Sequence, residues 1–416
     1  MKIKELISAH WQSQTTAVLG VGVFCLWLFH YPHLLLAREQ TQLFVWNTDY
    51  LLERLAIPGG LAQWLGECIA QFFLNPVYGA CWYAAFFVAA QLLTWRLLNG
   101  SRRPAVWLLS LVPSLVLCWL WMNLDIPLTF TVAVVLALAL MNLLPDKKGR
   151  FFSRTKDPSL LLSLLLVVVG YWLLGPAIVL MVLKRGSRRD GSFVATKEPS
   201  LRALLLLLTL VACVVGSSWL APYPLQQLAC GVDYYWEGDK AGTDEEMAYD
   251  RLLRQQRWEK IAEKYEQGHS ESLASRNVAM LAQYNLHRIG RQELYGNLVL
   301  TKHALKSIPS CFLMSEVAMQ VGLVNVAQRT AFEAMEAIPN YNKSARSLHR
   351  LVETNLITGH PEVALKYITI LEQTTFYRGW ARQMKPLALH PENIKAHPYF
   401  QKQQEIYDNG EDTFFY

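Results

Sequence analysis

Charged side chains are scarce in the first half of this chain. Of 39 Lys+Arg and 33 Asp+Glu in 416 residues, residues 1–225 hold only 18 and 10. That scarcity excludes an ordinary solvated surface over this stretch. Residues 226–416 carry the remaining 21 and 23, so the net charge of +6 comes from the apolar half. There basic loops record orientation against lipid, and the surplus is not a nucleic-acid signal.

Catalytic and metal signatures are also missing. There is no phosphate-cradling glycine loop, no G-x-S-x-G elbow, no H-E-x-x-H pair and no kinase signature. The seven cysteines (Cys25, Cys68, Cys81, Cys118, Cys213, Cys230 and Cys311) form no C-x-x-C pair and no zinc-like Cys/His spacing. They read as small core residues, so no metal and no cofactor is expected. His30 and His33, separated by Pro32, make a poor metal pair.

What is present is apolar and long. A helix needs about 20 mostly apolar residues to cross about 30 Å of hydrocarbon. Runs near 16–36, 77–98, 104–122, 126–144, 158–183 and 200–222 meet that requirement. Two lysines precede the first run and no small-residue cleavage site follows it, so it reads as a retained span with a cytoplasmic N-terminus. Trp11, Tyr31, Trp46, Tyr78, Trp95, Trp107, Trp119, Trp121 and Trp219 cluster near run ends, where an amphipathic ring gains from a wet edge and an apolar one.

Six simple spans leave a contradiction. They would put Lys184, Arg185, Arg188, Arg189 and Lys197 opposite the other basic loops, which include Lys147, Lys148, Arg150, Arg154 and Lys156. The fifth run offers two ways out. At 1.5 Å per residue its 26 residues would extend about 39 Å as one helix, and Gly170, Gly175 and Pro176 interrupt it. A broken or re-entrant fifth span keeps both basic loops inside and puts the C-terminal half outside. A long, kinked and tilted helix puts that half in the cytoplasm. The acidic residues of 203–250, with Lys240 their only basic companion before Arg251, favour the outside.

From residue 245 onward the pattern is helical, with glycine and proline punctuation and no strand-like alternation. Superposing four segments aligns Gln256, Gly290, Gly322 and Gly359, at separations of 34, 32 and 37. Gly322 is followed by Ala327, Ala334 and Pro339, and Gly359 by Ala364. These small residues and the closing proline resemble a tetratricopeptide array. That resemblance implies stacked helix pairs that hold a protein partner. A non-repetitive helical bundle is the alternative. The tail FYRGWARQMKPLALHPENIKAHPYF reads as the cap of the last apolar face.

The stretch LLLAREQTQLFVWNTDYLLERL, residues 34–55, begins where the first run ends. If residues 38–55 continue as a helix, Arg38, Gln42, Asp49 and Glu53 share one side. The Asp49/Glu53 pair at i,i+4 is mildly repulsive unless solvated, neutralised or occupied by a cation. A solvated interfacial helix, a cation site and a general base all remain open. Lipid-linked sugar transferases carry an acidic base in this place, which makes Glu39, Asp49 and Glu53 the catalytic candidates.

Residues 39–95 resemble the N-terminal signature of an uncharacterised family of bacterial, Bacteroidetes-type, multispanning inner-membrane proteins. Glu39, Gln42, Pro58, Gly59, Gly60, Gln71, Phe72 and Gly79 stand in matching places, and FYRGWA matches a segment of its C-terminal region. The resemblance implies an inner-membrane location and no established activity.

The expected fold is all-α. A polytopic transmembrane domain of about six spans (1–225, with an interfacial loop at 37–76) and a linker (226–244) precede a soluble solenoid of tetratricopeptide-like pairs (245–416). The expected role is a scaffold in envelope assembly that contacts membrane lipid and a protein partner, with a periplasmic C-terminal domain. A sugar transferase is the alternative.

Overall fold

The computed structural model describes residues 2–98, 103–143, 160–186, 197–231, 242–268, 270–338 and 342–409. Among the described residues the regular structure is helical throughout, without strands. The chain divides into two compact units: Met1–Tyr31 with Thr48–Trp236, and Pro32–Asn47 with Glu237–Tyr416. The second unit therefore includes a piece of the first loop, which reading the sequence in order assigned to the membrane half. Pro339 and the basic residues at 147–156 and 188–189 lie outside the described residues, as do the side chains of Arg185 and Lys197.

The first unit opens with α1 (Lys2–Phe29); the next helix, α2 (Pro32–Glu39), belongs to the second unit. It continues with α3 (Thr48–Leu55), α4 (Gly60–Ala70), α5 (Pro76–Leu97), α6 (Pro104–Ser110), α7 (Val112–Leu120) and α8 (Leu128–Leu143). It closes with α9 (Leu160–Leu174), α10 (Val179–Gly186), α11 (Lys197–Ser217) and α12 (Leu225–Cys230).

Three helical stretches here are long and apolar enough to cross a membrane: Trp11–Phe29, Pro76–Leu97 and Ser163–Lys184. Three of the six expected runs thus meet that length among the described residues. The runs at 104–120, 128–143 and 203–217 give shorter apolar helices. Proline sets the bounds of two of them. Pro104 starts α6 and Pro113 sits in the first turn of α7, with the interruption at Leu111 between them. Pro127 directly precedes α8, whose 16 described residues rise about 24 Å.

The fifth run does break. α9 stops at Leu174, Gly175 adopts φ 66°, and a 3-10 turn over Gly175–Ile178 leads into α10. A Cβ on Gly170 would meet Ile178 Cδ1 at 2.4 Å, although eight residues of straight helix would separate the two by about 12 Å. The break has a hydrogen-bond cause. In a continuous helix the Trp172 carbonyl would accept from residue 176, which is proline and has no N–H. Gly59 supplies the donor instead, from its own N–H at 2.9 Å, and Trp172 Nε1 donates to the Leu55 carbonyl at 2.8 Å. Gly59 has φ 83°, and its missing Cβ lies 3.5 Å from Gly175 Cα.

The core of this unit is aromatic. Tyr83 stacks on Trp121 at 4.2 Å between centroids, with Trp27 and Phe73 edge-on to it at 4.6 and 5.0 Å. Trp107 and Trp121 are thus core residues and not interfacial anchors, being 7% and 2% exposed. Trp121 gives its N–H to Thr131 at 2.8 Å, the usual arrangement for a buried indole. Trp119 and Trp219 are exposed, as an anchor would be.

The second unit runs from α13 (Asp244–Arg254) and α14 (Trp258–Gln267) through α15 (Leu273–Asn285), α16 (Arg291–Asn297), α17 (Ile308–Val321) and α18 (Val324–Glu336). It ends with α19 (Ala345–Ile357), α20 (Pro361–Leu371), α21 (Arg378–Leu389) and α22 (Pro398–Asn409). Successive helices pack on one another, α17 on α18, α18 on α19, α19 on α20 and α20 on α21. The aligned turn positions share a conformation that the sequence hinted at: Gln256, Gly322 and Gly359 have φ of 51°, 90° and 78°. Gly290 departs from this, with φ −84°, and His287 takes the left-handed turn instead at φ 56°. Ala327, Ala334 and Ala364 are fully buried, which lets neighbouring helices approach closely. Glu246 closes a capping box with Thr243 at the start of α13 and also accepts from Ser272 (2.6 Å) and Ser307 (2.7 Å), so one carboxylate ties three helix starts together.

Candidate functional site

Residues 38–55 do not form one helix. α2 ends at Glu39, and the next stretch runs without regular structure to the start of α3 at Thr48. Its backbone is satisfied by the second unit: Leu43 N–H donates to the Lys343 carbonyl at 3.0 Å and Trp46 N–H to that of Gln373 at 2.8 Å. Trp46 Nε1 donates to Thr375 at 2.8 Å, and His33 Nε2 lies 2.6 Å from Asp244 Oδ1. With backbone and side chains both committed, the segment is a structural part of the helical unit.

The three acidic candidates therefore separate. Asp49 and Glu53 sit on α3, both exposed to solvent, and the expected grouping with Arg38 and Gln42 on one helical side does not occur. Among the described residues no cluster of three metal-capable side chains is present. Glu39 alone is buried, 3% exposed. Its Oε1 accepts from the Tyr377 hydroxyl at 3.2 Å, while Oε2 is buried without a hydrogen-bond partner. Burial raises its pKa from 4.5 to about 7, against the opposing pull of Arg254, the Tyr377 hydrogen bond and Arg346. Gln42, three residues on, is buried with both amide atoms unpartnered.

A polar layer surrounds this carboxyl. Arg346 Nη1 donates to Asp250 at 2.7 Å and to Gln40 at 3.2 Å, and Gln40 donates back to Asp250 at 3.2 Å. One turn along α19, Arg350 pairs with Glu316 of α17 and with Glu353 at 2.8 Å. Arg350 and its neighbours hold the Glu316 carboxyl below its usual range, despite burial. The His349 ring stacks on Trp380 at 3.6 Å between centroids, and desolvation, then Arg350, push its pKa down to about 3. It is therefore a neutral imidazole at physiological pH.

A cavity of about 330 Å³ adjoins this layer, and its lining includes Arg254, Arg346, Ser347, Arg350, Glu316 and Tyr377. The volume lies at the lower end of the range for small-molecule sites. Sequence reasoning found Glu39 and Gln42 through the family-like signature but missed the arginines. A signal was there: Arg346, His349, Arg350 and Glu353 recur at i, i+3, i+4 and i+7, a polar stripe along a helix that also buries Leu348, Leu351, Val352 and Leu356. Another buried acid escaped notice in the first unit. Glu67, on α4, is fully buried and accepts from Tyr50 (2.6 Å), Arg54 (3.0 Å) and Gln63 (3.0 Å). With its oxygens matched to donors, it is a structural ion pair.

Residues 9–416 match a family described as a family of unknown function, DUF6057. The chain belongs to DUF6057. The match takes in both units, so the buried Glu39 layer and the broken α9–α10 run both fall within the DUF6057 region. No curated protein and no solved structure matches the chain.

Proposed function

We propose that this DUF6057 protein is an integral inner-membrane scaffold of the bacterial envelope, whose helical unit works outside the cytoplasm and recruits a protein partner. The placement rests on one observation, that Pro32–Asn47 is built into the helical unit. This segment begins three residues after the end of the first apolar helix. The helical unit thus shares a compartment with the outer end of that helix, and an even number of crossings must separate Thr48 from Trp236. Five of the six apolar runs lie between Thr48 and Trp236, and the interruption of α9–α10 supports reading that one as re-entrant, which leaves four crossings.

The paired helices with left-handed turns at Gln256, Gly322 and Gly359 support a tetratricopeptide-like reading, and arrays of that kind hold partners by surface contact. Capture of a partner by crosslinking in intact membranes tests the role. Capture should survive Glu39→Gln and Asp49→Asn and be lost in Ala327→Leu, which overpacks a fully buried position between α17 and α18. Capture that survives Ala327→Leu would count against the scaffold.

A second reading, a transferase acting on a lipid-linked sugar, has one observation in its favour. Glu39 has a pKa near neutrality, as a general acid or base requires. Under that reading Glu39→Gln abolishes a glycolipid-derived product in membranes that still contain folded protein, and unchanged product formation by that variant would remove the reading.

A further inference from the structure

We infer that the cavity of the helical unit is a binding site for the anionic group, carboxylate or phosphate, of a small molecule, held by Arg254, Arg346 and Ser347. The argument is one of matching donors with acceptors. Buried polar atoms are almost always hydrogen-bonded, and those left over call for an explanation. Among the described residues that line this cavity, three buried side-chain atoms have no partner: Arg254 Nη1, Arg346 Nη2 and Ser347 Oγ. Two of these can only donate, and the hydroxyl can also donate.

The lining carboxylates are already engaged. Glu316 and Glu353 both accept from Arg350, and Glu316 also accepts from Gln320. The three unpartnered lining atoms all call for an acceptor, and an oxyanion supplies two or three at once. Guanidinium groups suit this geometry because their planar N–H forks match carboxylate and phosphate oxygens. Arg346 is already oriented for it: Asp250 and Gln40 engage Nη1, and the Phe312 ring lies 4.7 Å beneath the guanidinium carbon. Ser347 is fully buried, so its hydroxyl gains nothing from water. The inference stands whether or not the helical surface also recruits a protein.

The test uses the full chain in detergent, with inorganic phosphate and acetate as probes and choline chloride as the cationic control at equal ionic strength. Melting temperature and calorimetric titration are read together. Phosphate or acetate should raise the melting temperature and choline should not. Ser347→Ala should weaken the anion about tenfold, and Arg254→Gln by at least as much, since hydrogen bonds to charged groups are the stronger ones.

Arg346 is avoided as the primary variant because its removal strands Asp250. A short-chain phosphatidate, dispersed as monomer, distinguishes sources: stabilisation by it alone assigns the site to a lipid headgroup, and stabilisation by inorganic phosphate assigns it to a soluble ligand. Absence of any anion effect overturns the inference, as does an effect equal in wild type, Ser347→Ala and Arg254→Gln when all three melt cooperatively.

Discussion

Glu39 has given up water for a place beside Arg254, Arg346 and Tyr377, and the exchange leaves it short of one hydrogen bond. Its folded pKa, about 7, lies above the ordinary 4.5. The folded state then holds the proton more tightly than the unfolded chain, so the contribution to stability is fully present below about pH 4.5 and is lost as pH rises through about 7. The difference corresponds to about 3 kcal/mol across that window. Glu39→Gln should flatten this fall, as measured by melting temperature against pH. His349 contributes the opposite slope, since its depressed pKa withdraws stability as pH falls from its usual range toward about 3. Comparing wild type with Glu39→Gln at each pH cancels that second slope. Asp49→Asn and Glu53→Gln should change stability by less than about 0.5 kcal/mol at any pH, because both side chains are solvated.

Among the elements, the turns of the helical unit carry the sharpest contrast. Gly322 and Gly359 both occupy left-handed turns, at φ 90° and 78°. A Cβ at Gly359 meets nothing within 4 Å, whereas one at Gly322 would lie 2.1 Å from Ile406 Cγ2 on α22. Gly359→Ala should therefore cost about 1 kcal/mol of backbone strain, and Gly322→Ala about 1–3 kcal/mol more from overpacking. Denaturant midpoints of the two variants test this, and deletion of α22 should bring their costs together.

The sequence carried the helical character of residues 245 onward, because apolar periodicity and glycine and proline punctuation are local facts. It carried the break in the fifth run too, since Gly175 and Pro176 are visible as text. It did not show that Gly59, far away along the chain, satisfies the carbonyl that Pro176 leaves empty. Nor did it show the charged layer, because Arg254, Glu316 and Arg346 lie on three different helices and only folding brings them to one cavity. The helix expected over residues 38–55 failed for the same reason: its first residues find their hydrogen-bond partners hundreds of positions later, and non-local bonds override local propensity.

At the scale of the whole molecule, compartment is the testable quantity. Cys311 is a poor reporter, because it is 3% exposed and burial raises its thiol pKa to about 12, leaving little reactive thiolate. A cysteine introduced at the exposed Lys402, with the exposed Cys81 and Cys230 changed to serine, reports without that block. In intact cells it should react with a reagent that cannot cross the inner membrane but reaches the periplasm. Protection until the membrane is permeabilised would put the helical unit in the cytoplasm and overturn the compartment assignment.

The insertion of Pro32–Asn47 into the helical unit has a consequence for biogenesis. His33 meets Asp244 across 211 positions, and Glu39 meets Tyr377 across 338. During synthesis this segment follows α1 and must wait, unpaired, while α3 to α12 of the first unit are made. The helical unit thus reaches its final state in a last stitch, by contacts of the kind that close slowly. A fragment comprising residues 237–416 should accordingly be less stable than the same unit in the whole chain, and a synthetic peptide of residues 32–47 should raise its melting temperature in a saturable way. The full-length protein would then carry its own assembly check, since a truncated or stalled chain leaves the groove that receives its earliest residues unfilled.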